Sequence, residues 1–389
     1  MQRPDDTPNE GGWAPIGQPA PGPIRTTLAD GSPAPAPAPA PAAAPVIGAA
    51  GRAVLAQQPE SAADRERRRN RELAPILPTR VPWVAVTVFT VLAVGLAWLV
   101  AAPLWLSGEG LANPWFQLIA LGMMYTPTIA ALVVVLFVAR PRSIPRLLGL
   151  APLRPLGRTL GLCAAALVGF PVLAFCSMLL GQAMGLIELD LVGLSGLAAI
   201  MTASGAGELG RDDLTTVALV QLLTLPLGVL VASLSAFGEE LGWRGWLLPN
   251  LLPLGTWPAL LLSGAVWGVW HAPLILLGYN YQRTDVVGLL LMVGWCMLLG
   301  VLIGWLRLRS ASVWPAVIAH GAVNAAVGAL LLFASPTSMQ DTGSVFGTLL
   351  GWPGWILLAA TALILVVTGQ FGKRAVPGLR GSEVASPVS

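Results

Sequence analysis

Only two histidines occur among the 389 residues, His271 and His320, and each sits inside an apolar stretch. With Glu239, Glu240, Arg244 and Asn324 they make up nearly all the strongly polar side chains of the long apolar segments in the second half of the chain. An ionised side chain at the centre of a membrane-spanning helix costs about 2.5 to 3.5 kcal/mol on insertion scales, so such groups pair with one another or line a functional cavity. A carboxylate, two imidazoles and a carboxamide suit hydrolysis. A desolvated carboxylate can draw a proton from water as a general base, and an imidazole can orient that water or protonate the leaving amine. The second imidazole, with the carboxamide, can donate hydrogen bonds to the oxyanion of a tetrahedral intermediate, contacts whose loss typically costs about 10² to 10³ in rate.

Helical spacing assigns these roles to particular residues. Glu240 and Arg244 stand at i and i+4 with the acid toward the N-terminus, the favourable order for an ion pair. That pair reads as support. Glu239 points about 100° away around the same helix and has no cation left in its own segment, so it is the expected base. Trp267 and His271 share a face at i, i+4, where the indole can pack on the imidazole and fix its ring. His320 and Asn324 repeat the spacing. The same atoms allow a second chemistry, because Glu239, His271 and His320 form a carboxylate and two-histidine set of the kind that holds catalytic zinc, with water in the open position. A divalent metal such as zinc therefore stays open as a cofactor, although neither HExxH nor GxSxG occurs.

These residues need a membrane to sit in. The chain is 55% hydrophobic and 11% charged with a mean hydropathy of +0.72, against about 25% charged in a soluble domain. Eight apolar runs are long enough to span about 30 Å of hydrocarbon: Pro82 to Leu106, Trp115 to Ala139, Thr159 to Gly185, Thr216 to Leu248, Trp257 to Leu277, Val286 to Leu306, Ser312 to Phe333 and Leu349 to Thr368. The expected fold is all-α, a polytopic bundle of about eight transmembrane helices around a polar intramembrane cavity. Pro249 is expected to stop the fourth helix, and Leu191 to Ala203 reads as an interfacial or re-entrant piece. Arginines gather on alternate connections: Arg65, Arg67, Arg68, Arg69, Arg71 and Arg80; Arg140, Arg142, Arg146, Arg154 and Arg158; Arg307 and Arg309; and, with Lys373, Arg374 and Arg380. The other connections hold Glu109, Glu188, Asp190, Glu208, Asp212, Asp213, Asp285 and Asp341, with only Arg211 and Arg283 as cations. The positive-inside rule then puts both termini in the cytosol of a multi-pass plasma-membrane protein.

The net charge of +3 records that orientation and attracts anionic lipid; it gives no reason to expect nucleic acid. Cys163, Cys176 and Cys296 fall inside the spans and read as packing residues, without disulfide or metal spacing. Residues 1–80, with PAPAPAPAPA from Pro33 to Ala42, read as a disordered cytosolic tail in polyproline II conformations. Residues 81–370 form the bundle, with the polar motifs at about 216–333, and 371–389 a short basic tail. Heavy use of Ala, Gly, Pro and Arg, with one lysine, points to a GC-rich bacterial genome.

The three motifs, in order and each in an apolar run, resemble those of the CPBP intramembrane proteases, the CAAX-processing and bacteriocin-processing group also called the Abi family. Its EExxxR is met by Glu239, Glu240 and Arg244, its FxxxH by His271 with Trp267 in place of Phe, and its HxxxN by His320 and Asn324. The resemblance covers about residues 216 to 333. It implies an intramembrane endopeptidase, often described as a metalloprotease, in which the first Glu and first His activate water, the second His and the Asn form the oxyanion site, and Glu240 and Arg244 support them. The partners it implies are a peptide or membrane-protein substrate and the bilayer. Buried Glu, His and Arg also serve proton- or ion-coupled transporters, and a non-catalytic membrane scaffold or immunity protein is the third reading.

Overall fold

The computed structural model describes residues 77–372, apart from 152 and 154. The Pro-rich tail and the basic C-terminal tail expected from the sequence fall almost wholly outside these residues. The described chain is helical, and eight helical segments run alternately between two ends of one bundle. They comprise α1 (Trp83–Leu106), the broken pair α2 (Phe116–Met124) and α3 (Thr126–Val133), α4 (Leu156–Ala183), α6 (Arg211–Glu240), α7 (Thr256–Trp270), α8 (Val286–Ser310), α9 (Trp314–Leu330) and α10 (Trp352–Val367). The stretch expected to lie at the interface is the short α5 (Ser195–Ala203).

Among the described residues six helical stretches are long and apolar enough to cross a membrane, with α2/α3, α6 and α10 each counted together with the helical turns that adjoin them (Phe116–Val138, Arg211–Leu254 and Thr342–Val367), two fewer than the eight apolar runs expected. The shortfall is in the runs that carry the histidines. α9 has 17 residues, about 25 Å at 1.5 Å per residue, and α7 has 15. α7 ends because His271 leaves the helix at φ −72°, ψ −8° ahead of the single turn Ala272–Ile275, and Pro273 has no N–H with which to continue the ladder. The second run breaks at Tyr125 for the same reason, with Pro127 opening α3. Pro249 does not stop the fourth run. After α6 the chain passes through a π-helical stretch, Leu241–Leu247, and a turn, Leu248–Leu251, which Pro249 opens rather than ends. The stop is Gly255 at φ +106°, a backbone conformation that favours glycine.

The two ends of the bundle differ in charge. One gathers Arg80, Arg140, Arg142, Arg146, Arg158 and Arg309, and the described residues of its connections contain no acid. The other gathers the eight acids named above with Arg211 and Arg283. Cross-connection hydrogen bonds tie each end: the Ser312 hydroxyl donates to the Gly149 carbonyl at the basic end, and the Trp105 indole donates to the Pro273 carbonyl at the acidic end.

Arg307 departs from the expectation of a solvated loop cation. It lies in the last turns of α8, is fully buried, and donates to the carbonyls of Arg244 at 3.0 Å and Leu147 at 2.8 Å. The π-helical stretch leaves carbonyls without their usual partners, and Arg307 satisfies one. Close helix approach comes from missing side chains: a Cβ on Gly268 of α7 would lie 2.4 Å from the Val293 Cα of α8.

Candidate active site

Glu239 and Glu240 end α6, where the chain enters the π-helical stretch that carries Arg244. π-Helical turns inside longer helices are frequent at functional sites. Both acids are buried, and they do different work. The Arg244 Nη1 donates to the Glu240 Oε1 at 2.8 Å. His320, from α9, meets the same oxygen with its Nδ1 at 2.9 Å. An oxygen already accepting from a guanidinium is carboxylate in character, so the imidazole is the donor. That fixes Nδ1–H on His320 and leaves Nε2 as its second functional nitrogen.

Glu239 is not the acid that pairs with Arg244, and its partner comes from another helix. The Trp267 indole N–H donates to its Oε2 at 2.7 Å. Trp267 is in fact the hub of the site. Its carbonyl takes the Nδ1–H of His271 at 2.9 Å, its ring stands edge-on to His320 with centroids 5.3 Å apart, and the Arg244 guanidinium carbon lies 4.3 Å from its ring centroid. The expected packing of this indole on His271 is present at 5.8 Å. Nothing local in the sequence signals the contact with the acid, because the neighbours of Trp267 at i±4 say nothing about a carboxylate 28 residues earlier.

Glu239, His271, His320 and Asn324 line one cavity of about 280 Å³, with Trp267 and Trp270 in its wall. Trp270 is held by its indole N–H on the Thr126 hydroxyl, 3.0 Å away, at the α2/α3 break. Glu240 and Arg244 do not line the cavity and stand behind it. Asn324 is exposed and also lines a groove of about 570 Å³ between α6 and α9. Tyr279, in the connection after the Ala272–Ile275 turn, lines the cavity, with its ring 5.6 Å from that of Phe116. Burial, with the charge of Glu239 beyond it, pushes the Tyr279 phenol up.

The arrangement does not suit a metal as it stands. Among the described residues no three His, Cys, Asp or Glu side chains are grouped as a metal site requires, and the Glu239 oxygen that faces Trp267 is already hydrogen-bonded. Glu239, His271 and His320 share a cavity without forming a ligand cluster. Of the cysteines, Cys296 is buried with its sulfur 3.9 Å from the His271 Nδ1, while Cys163 is half-buried and Cys176 exposed.

Residues 221–326 match the family model of the Rce1-like type II CAAX prenyl endopeptidases. CAAX prenyl protease 2 of Methanococcus maripaludis is 32% identical over 120 residues, which cover 29% of this chain and 44% of that protein. The chain thus spans less than half the length of the curated relative it matches. The matched segment includes Glu239, Glu240, Arg244, Trp267, His271, His320 and Asn324.

Proposed function

We propose that this chain, whose residues 221–326 match the Rce1-like CAAX-protease family model, is an intramembrane endopeptidase that hydrolyses a peptide bond with water activated by Glu239. One observation carries the reading: a carboxylate held on the Trp267 N–H shares an intramembrane cavity with two imidazoles and a carboxamide. In the proposed reaction Glu239 takes a proton from water while the resulting hydroxide attacks the carbonyl carbon. His271, whose Nδ1–H is pinned to the Trp267 carbonyl, offers Nε2 to orient that water. The proton then passes to the departing amide nitrogen as the C–N bond breaks, leaving a carboxylic acid and an amine.

The oxyanion needs donors. Asn324 supplies its amide N–H, and His320 supplies Nε2–H when doubly protonated, with Glu240 as its counter-ion. In that state Glu239 and Glu240 balance Arg244 and His320⁺, so the buried cluster carries no net charge, as a low-dielectric site demands. Glu240 and Arg244 therefore position His320 rather than touch substrate.

Purified protein in detergent or lipid, offered quenched fluorescent peptides and membrane-anchored polypeptides, should release new N-termini by mass spectrometry. Ion-driven uptake into vesicles without any cleavage would replace this reading with a transporter, and neither activity would leave a scaffold.

A further inference from the structure

The cavity is not centred in the bundle; it is open toward one end. From Glu239 and His320 its wall runs through Val327 of α9, Ala120 of α2 and the connection at Tyr279 and Asn280 to Leu350. Each of these positions lies on the way to, or within, the acidic connections. In the opposite direction the chain is sealed. Trp243, Arg244, Trp246, Leu247 and Arg307 are all buried, with Leu148 against them, and Arg307 ties the π-helical stretch to the Leu147 carbonyl. The groove between α6 and α9 that shares Asn324 also runs toward the acidic end, through Ala325 and Ala329 on α9 and back to Gln221 on α6.

Charge decides which compartment that is. The connections at the sealed end carry Arg80, Arg140, Arg142, Arg146, Arg158 and Arg309 and, among the described residues, no acid; those at the open end carry eight acids against two arginines. Arginine-rich short connections stay in the cytosol.

We infer that the cavity opens to the extracytosolic side of the membrane, so that it takes peptide segments that have been translocated or are anchored in the outer half of the bilayer, and not cytosolic polypeptides. The shared Asn324 gives such an anchored segment a lateral route between α6 and α9 to the same oxyanion donor. This inference rests on the endopeptidase reading for what happens in the cavity, but not for where the cavity faces.

The test separates the two. In the full-length chain with Cys163→Ala, Cys176→Ala and Cys296→Ala, single cysteines are placed on exposed positions beside the open end (Thr284→Cys, or Thr342→Cys) and at the sealed end (Arg142→Cys, or Arg140→Cys). Two positions per end keep the result readable if one variant folds poorly. A membrane-impermeant maleimide is expected to label the first pair in intact cells and the second only after permeabilisation. The reverse pattern, labelling of both pairs in intact cells, or of neither until permeabilisation, overturns the inference. With the native chain, cleavage of an added peptide by spheroplasts but not by sealed inverted vesicles is expected, and cleavage by inverted vesicles alone overturns it. The expected labelling with cleavage on neither side counts against the endopeptidase reading and leaves the sidedness standing.

Discussion

Trp267→Phe isolates one hydrogen bond. It removes the N–H that donates to Glu239 at 2.7 Å while keeping an aromatic ring between His271 and His320 and beneath Arg244, and the carbonyl that holds His271 is main chain and is untouched. A hydrogen bond to a charged partner contributes about 1.5 to 3 kcal/mol. If that contact holds the base in its reactive position, turnover falls by about 10- to 150-fold, since each 1.4 kcal/mol is a factor of ten. Peptide binding does not use the indole N–H, so the loss should appear in kcat with KM nearly constant. Trp267→Leu, which also removes the ring contacts, should fall further and lose folded protein. Steady-state cleavage with quenched peptides, alongside monodispersity in detergent, measures both. Wild-type kcat in a well-folded Trp267→Phe protein would refute the idea that Trp267 orients Glu239.

Arg244→Ala should reduce folded yield sharply, because removing one partner of a buried pair typically costs about 3 to 5 kcal/mol; yield equal to wild type would contradict the buried pairing seen at 2.8 Å. Gly268→Ala should cost about 1 to 3 kcal/mol by forcing α7 from α8, read as a lower melting temperature in detergent. A zinc chelator should leave cleavage unchanged, and loss restored by added zinc would return a metal to the site. Asp190, in the connection before α5, is held below the usual carboxylate range by the Ser195 side chain and the Gly193 N–H. A depressed carboxylate adds stability above its unfolded value of about 3.9 and loses it as pH falls through the lower folded value. Hydrogen exchange at Gly193 and Ser195 should therefore be flat from pH 7 to 5 once corrected for intrinsic rates, and loosening in that window would contradict the assignment.

What the sequence made legible is what lies within one helix. Glu240 and Arg244, Trp267 and His271, and the split between Glu239 and Glu240 follow from 3.6 residues per turn, and the alternation of arginine-rich and acidic connections follows from the cost of moving cations across lipid. The contacts between helices were hidden. Nothing local to His320 announces Glu240, 80 residues earlier, or links Trp267 to Glu239. Arg307 looked like a loop cation because sequence position cannot show that a freed carbonyl of the π-helical stretch lies within its reach. The helices around His271 and His320 are shorter than the apolar runs that contain them, because hydropathy is blind to the backbone turn at His271 and to a helix that ends at Leu330.

The most direct test of the proposed chemistry is Glu239→Gln. The amide keeps the shape of the side chain and an oxygen for the Trp267 N–H, yet cannot take a proton from water. Single-turnover cleavage by the purified variant, at wild-type folded yield and with peptide binding measured in parallel, is predicted to be abolished while binding persists. A Glu239→Gln protein that cuts at the wild-type rate would contradict the account at its centre.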